Sequence, residues 1–181
     1  MDGDKEEKMK EHLKRALLLA FICVLSAGTL GYFYQLTTPI INEQQIKAEV
    51  SLRQEVLPQA TEFKEITVDG TTVYLGLSNG SIVGGVAKIT TKGYGGDIEL
   101  IVGLDSDKRI TGIKILSHSE TPGLGEKATK NGYLSQFIGK SNTNLNSVRF
   151  ITGATISSRA ISNGVERGIE EISKAIERYQ K

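Results

Sequence analysis

Thr152-Gly153-Ala154-Thr155, followed by Ile156-Ser157-Ser158, is the run of residues in this chain best suited to hold an anion. Gly153 and Ala154 are small enough to let backbone approach a ligand closely. Thr155, Ser157 and Ser158 carry hydroxyls just where apolar periodicity announces a helix. The first N–H groups of a helix have no partner within it, and the helix dipole favours negative charge there, so such a place suits a phosphate. Residue types alone leave two roles for Thr155: an ordinary N-cap, or the bearer of a phosphate-containing group.

A second run, His118-Ser119-Glu120-Thr121-Pro122-Gly123-Leu124-Gly125, follows directly on an apolar segment. Pro122-Gly123 suits the centre of a type II turn, where glycine takes the positive φ. Glycines on either side of Leu124 allow tight approach to a flat ring. His118, Glu120 and Thr121 supply donors and acceptors. A plain surface turn is the competing reading of the same residues.

Several elements must position these two runs. Residues 71–77 and 81–91 are β-branched and apolar, with Ser78-Asn79-Gly80 as a turn between them. Residues 98–104 and 110–116 repeat the pattern around a polar turn from Asp105 to Arg109. Strand, short turn, strand implies an antiparallel sheet. Gly84-Gly85 and Gly95-Gly96 mark bulges or close approaches. A short helix is expected over 127–138, with Leu134 and Phe137 facing the core. Ile161, Val165, Ile169, Ile172, Ile176 and Tyr179 recur at helical spacing and predict an amphipathic terminal helix. Asn163-Gly164 is expected to loosen its first part, and Glu170 with Lys174 to form an i,i+4 pair.

Ahead of the domain, residues 16–36 carry no charge. At about 1.5 Å per residue this run covers roughly 30 Å, a bilayer core. Lys5, Lys8, Lys10, Lys14 and Arg15 precede it, against only Lys47 and Arg53 in the stretch after it. The positive-inside bias therefore expects residues 1–15 in the cytoplasm and the globular part on the other side. The run is longer than a signal-peptide core, and an uncleaved anchor is favoured. Residues 37–58 predict a stalk helix, with Pro39 near its start, a stripe of Ile40, Ile46, Val50 and Val56, and Pro58 at its end. Residues 59–181 form the domain.

The net charge of +1 gives no basic surface for nucleic acid. The one cysteine, Cys23, excludes an intramolecular disulfide and a cysteine-held cluster within the chain. Twenty glycines call for many turns and close backbone approaches.

The two runs together carry a family resemblance. Thr152-Gly153-Ala154-Thr155 resembles the flavinylation motif of the FMN-binding domain family, and Glu120-Thr121-Pro122-Gly123-Leu124-Gly125 resembles a second element of it. The whole chain resembles the G subunits of Rnf-type electron-transport complexes. It is less similar to the C subunits of sodium-translocating NADH:quinone oxidoreductases. The resemblance implies an α+β fold: an N-terminal transmembrane helix, then one extracytoplasmic FMN-binding domain with an antiparallel sheet and flanking helices. It implies FMN joined through its phosphate to Thr155 by a flavin transferase. Thr152, Gly153, Ala154, Ser157 and Ser158 would lie around the phosphate. His118, Glu120, Thr121, Pro122, Gly123, Leu124 and Gly125 would border the ring.

The implied role is electron relay within a membrane complex that couples ferredoxin:NAD electron transfer to sodium or proton movement, with the other subunits as partners. Such a chain is single-pass in the cell (inner) membrane. A quinone-reducing pump subunit, a non-redox FMN-binding or sensory module, and a structural subunit are the alternatives. One departure stands out: the family often has an acidic residue three places before the first Ser/Thr of the motif, and this chain has Arg149.

Overall fold

The computed structural model describes residues 2–180, with side chains described at 9–10, 12–38 and 49–180. The chain divides into two compact units, Met1–Lys47 and Ala48–Lys181. The described residues of the first are helical and belong to α1, Asp2–Val56. Within it, His12–Thr38 is long and apolar enough to cross a membrane, with a mean hydropathy of 2.1. Leu17, Phe21, Leu25, Leu30 and Phe33 all point outward, as does Cys23. Three threonine hydroxyls in this run are satisfied inside the helix: Thr29 donates to the Leu25 carbonyl, Thr37 to Phe33 and Thr38 to Tyr34. That is how a polar side chain is accommodated where no water can serve it.

The expected stalk is the continuation of this same helix and does not begin at Pro39. It stops at Val56, just before the residue preceding Pro58, as the steric restriction ahead of a proline requires. Of the expected stripe, Ile40 and Ile46 lie outside the described side chains. Val50 is exposed and Val56 is buried. The face that packs is set instead by Leu52 and Val56, one turn apart, with Leu57 just beyond the helix end, and Val50 falls on another side.

Five strands follow in a simple antiparallel meander: β1 Glu62–Val68, β2 Thr71–Ser78, β3 Ser81–Lys92, β4 Asp97–Asp105 and β5 Ile110–His118. β1 is a strand that the residue pattern does not announce. Its solvent-facing glutamates and lysine mask the alternation, and its pairing with β2 decides it. Asp69 (φ 46°) and Gly70 (φ 83°) join the two in left-handed geometry, the turn chemistry a tight hairpin demands.

Alternation along β4 serves two cores. Ile101, with Val86 of β3, packs under Val56, Leu57 and Ala60 on one face. Leu100, Val102 and Leu104 face the other way, against the terminal helix α3, Thr155–Tyr179. Gly103 and Gly112 make room for the end of α1: a Cβ on Gly112 would lie 2.7 Å from the Val56 Cα.

α3 buries Ile161, Val165, Ile169, Ile172 and Ile176 as its periodicity predicts, while Tyr179 stays 43% exposed beneath the Lys64 ammonium. Gly164 does not loosen the helix. Together with Gly168 it is where α3 lies closest to the sheet, and a Cβ on either would come within 3.1 Å of Leu100 or Val102. Lys174 pairs with Glu171 at 3.0 Å and Asp69 at 3.2 Å, in place of the expected Glu170. The expected helix over 127–138 is broken into a 3-10 turn at Gly125–Thr129, a single α turn α2 at Asn131–Leu134, and a 3-10 turn at Ser135–Phe137. Lys130, with extended backbone (ψ 154°), separates the first two. Leu134 and Phe137 are nonetheless buried.

Candidate functional site

Three chain segments converge at the start of α3: the 93–96 loop after β3, the 119–125 segment after β5, and residues 151–154. A cavity of about 380 Å³ opens between them, lined by Tyr94, Leu124, Gly125, Gly153, Ala154, Thr155, Ile156 and Ser157. The two runs singled out in the sequence therefore meet in space. None of the lining side chains is charged. Tyr94, Leu124 and Ile156 present exposed apolar surface.

Thr155 does not cap α3. Ala154 occupies the cap position and makes no side-chain cap bond, while Gly153 precedes it with φ 81°. Thr155 is the first helical residue and is exposed. Its hydroxyl makes only a long 3.5 Å bond to the Ile151 carbonyl, at the limit of hydrogen-bond geometry. The N–H groups of Thr155, Ile156 and Ser157 open the helix, where no carbonyl four residues back can serve them. The cavity thus combines an available hydroxyl, helix-start donors and small residues.

The two serines are committed elsewhere. The Ser157 hydroxyl donates to Glu120 Oε2 at 2.8 Å and is buried. Ser158 Oγ accepts the Ile151 N–H at 3.2 Å. Its carbonyl accepts the Tyr133 hydroxyl at 2.8 Å. Burial pushes the Tyr133 phenol up to about 12, against the opposing pull of that hydrogen bond. Both serines brace the first turn of α3.

The 118–125 residues fall into four groups. Leu124 and Gly125 line the cavity. Thr121, Pro122 and Gly123 form the expected turn, with Gly123 at φ 75° and the Leu124 N–H bonded to the Thr121 carbonyl at 3.2 Å. The Gly123 N–H, and then Lys130, hold the Glu126 carboxyl below the ordinary carboxylate range. Glu120 is 5% exposed and lies behind the wall, where it accepts hydrogen bonds from Tyr94 N–H, Gly95 N–H and Ser157 Oγ. His118 is exposed, with Nδ1 accepting the Glu120 N–H at 3.3 Å. Thr152 is exposed and outside the lining, as is Arg149, whose backbone is held by the Gln136 side chain.

Sequence reasoning missed Tyr94 and Ile156. The signal for Tyr94 was its place beside Gly95-Gly96, a pair of residues expected to mark a close approach. A Cβ on Gly95 would press on the Ser119 carbonyl and the Glu120 backbone.

A five-stranded meander crossed by one long helix, with this cavity at the helix start, defines an α+β domain. Residues 93–170, which contain every lining residue, match the FMN-binding domain family, and residues 2–56 match the RnfG N-terminal region. The chain is 33% identical to the G subunit of the Na(+)-translocating ferredoxin:NAD(+) oxidoreductase complex of Acetobacterium woodii, over 87% of this chain and 89% of that protein. It is 33% identical to the G subunit of the ion-translocating oxidoreductase complex of Methanosarcina acetivorans, over 91% and 96%. The G subunit of the proton-translocating ferredoxin:NAD(+) oxidoreductase complex of Clostridium ljungdahlii is 29% identical, over 86% and 88%. The crystal structure of Shewanella oneidensis NqrC shares the fold, with a TM-score of 0.50 and 19% identity over 67% of this chain and 73% of that one. The chain belongs to the family of G subunits of ion-translocating oxidoreductase complexes.

Proposed function

We propose that this chain carries FMN covalently on Thr155 and relays electrons within an Rnf-type membrane complex. That complex couples ferredoxin:NAD electron transfer to sodium or proton movement. The observation that carries the reading is Thr155 itself: an exposed, uncapped hydroxyl at a helix start, on the wall of a charge-free cavity. FMN, when bound, supplies one- and two-electron redox chemistry.

The chain's own residues fit that group. Thr155 Oγ1 offers the oxygen for a phosphoester, and the helix-start N–H groups steady the phosphate charge. Gly153 and Ala154 leave the phosphate room, and Tyr94, Leu124 and Ile156 offer apolar surface to a flat ring. No lining residue is cationic, so an ester would retain what charge pairing does not. Attachment requires a flavin transferase acting on the 152–155 run. The other subunits supply the donor, the acceptor and the ion path. The basic flank before the apolar span supports a cytoplasmic N-terminus and a domain on the extracytoplasmic side of the cell membrane. Protease added outside spheroplasts should then remove the domain; its survival there would reverse the orientation.

Intact mass of the full-length chain, produced with a flavin transferase and measured after denaturation, tests the attachment. We expect a gain equal to FMN less water in the wild type and none in Thr155→Ala. An unmodified wild type would overturn the covalent reading, and Arg149 would then be the first residue to exchange for an acid.

A further inference from the structure

We propose that Glu120 is the positioning residue of the cavity. Its carboxylate ties the 93–96 loop to the first turn of α3 and so holds Tyr94 and Thr155 in one frame. The inference rests on the FMN reading for what the cavity holds, but its geometry stands apart from it.

Glu120 is almost fully buried, and among the described residues no lysine or arginine forms an ion pair with it. A buried carboxylate without a cation is costly unless hydrogen bonds replace its water. Three donors do so: Tyr94 N–H at 2.9 Å, Gly95 N–H at 3.4 Å and Ser157 Oγ at 2.8 Å. They come from two segments far apart in sequence, while Glu120 itself belongs to a third. All three groups donate to the carboxyl in this arrangement, which uses both its oxygens as acceptors.

The surrounding backbone is shaped to admit the carboxylate. A Cβ on Gly93 would run into Oε1, and one on Gly125 into Oε2. Glycine at both positions leaves room for the charged group on either side. Since Glu120 does not line the cavity, its effect on a bound group passes through the residues it holds.

The test uses the full-length chain with Glu120→Ala, Glu120→Gln and Ser157→Ala. Without flavin, hydrogen–deuterium exchange is followed by mass spectrometry over peptides covering 93–96. Losing the charge-assisted bonds should speed exchange there about tenfold or more in Glu120→Ala, with Glu120→Gln intermediate because its amide oxygen still accepts one N–H. With flavin attached, the visible circular dichroism of the flavin should weaken in the same order, while the far-ultraviolet signal shows each variant folded. Wild-type exchange and dichroism in a folded Glu120→Ala would overturn the inference. If Glu120→Ala fails to fold, Ser157→Ala decides: weakened dichroism supports the frame, and a wild-type signal overturns it. An unflavinylated wild type with fast 93–96 exchange in Glu120→Ala would instead sink the FMN reading and leave the brace standing.

Discussion

Two cavities of about 380 Å³ lie along α3, one at each end. The N-terminal one is walled by small, hydroxyl and apolar residues and by unpartnered helix-start amides. The C-terminal one is lined by Lys108, Glu170, Lys174 and Glu177, with Ser141, Thr143 and Ile169 among its neighbours. There the charges largely answer each other: Lys108 pairs with Glu177 at 3.0 Å, and Lys174 with Asp69 and Glu171. Equal volume with opposite chemistry shows that size does not mark the site. What marks it is donor capacity left unused beside an apolar wall, with the buried charge of Glu120 withdrawn behind it.

Three changes would break or sharpen that contrast. The largest effect is expected from Gly125→Ala, which drives a methyl into the Glu120 carboxylate and towards Ser157 Oγ. Overpacking of this kind costs about 1–3 kcal/mol. Both the melting temperature and the fraction of flavinylated chain should fall; an unchanged melting curve would mean that the 120–125 backbone is free to move aside.

Tyr133→Phe comes next, removing the bond to the Ser158 carbonyl at a cost of about 1 kcal/mol. It also makes a pH signature. Because the folded phenol titrates near 12 and an unfolded one near 10, its contribution is intact below pH 10 and is lost as pH rises towards about 12. Urea melts at pH 7 and pH 11 should show the wild type losing more stability over that interval than the variant. Equal losses would place the alkaline sensitivity elsewhere.

The smallest effect belongs to the charged end. Lys174 and Arg178 hold the exposed Asp69 carboxyl below its ordinary value, the hydrogen bond from Lys174 contributing most. The resulting stabilisation is present above the ordinary carboxylate range and is lost as pH falls through the lowered value. Asp69→Asn should shift the melting temperature slightly, reduce its dependence on salt, and leave flavin loading untouched. Reduced loading would show that the two ends of α3 are coupled.

Much of this was legible without coordinates because it rests on periodicity and local chemistry. The apolar stripe from Ile161 to Ile176, the apolar, β-branched runs of β2 to β5, the Pro122-Gly123 turn and the uncharged 16–36 run each depend on neighbours in sequence. So do the two runs that line or support the cavity. Readings failed where a distant partner decided the outcome. β1 is a strand because β2 pairs with it. Gly164 reads as a breaker until Leu100 and Thr91 lie against it. Val50 reads as part of a stripe, but the sheet selects the face that carries Leu52 and Val56.

By itself, then, the amino-acid order determined the long helices, four of the five strands and the Pro122-Gly123 turn, and which hydroxyls were candidates to carry a group. It did so because periodicity and turn chemistry act over a few residues. Only the tertiary structure decided how those hydroxyls are used. Ser157 and Ser158 turn inward to Glu120 and Ile151, Thr155 is left facing the cavity, and Tyr94 joins it from a loop far earlier in the chain. A hydrogen bond is a matter of distance and direction in space, and hydroxyls two positions apart on a helix point to different places.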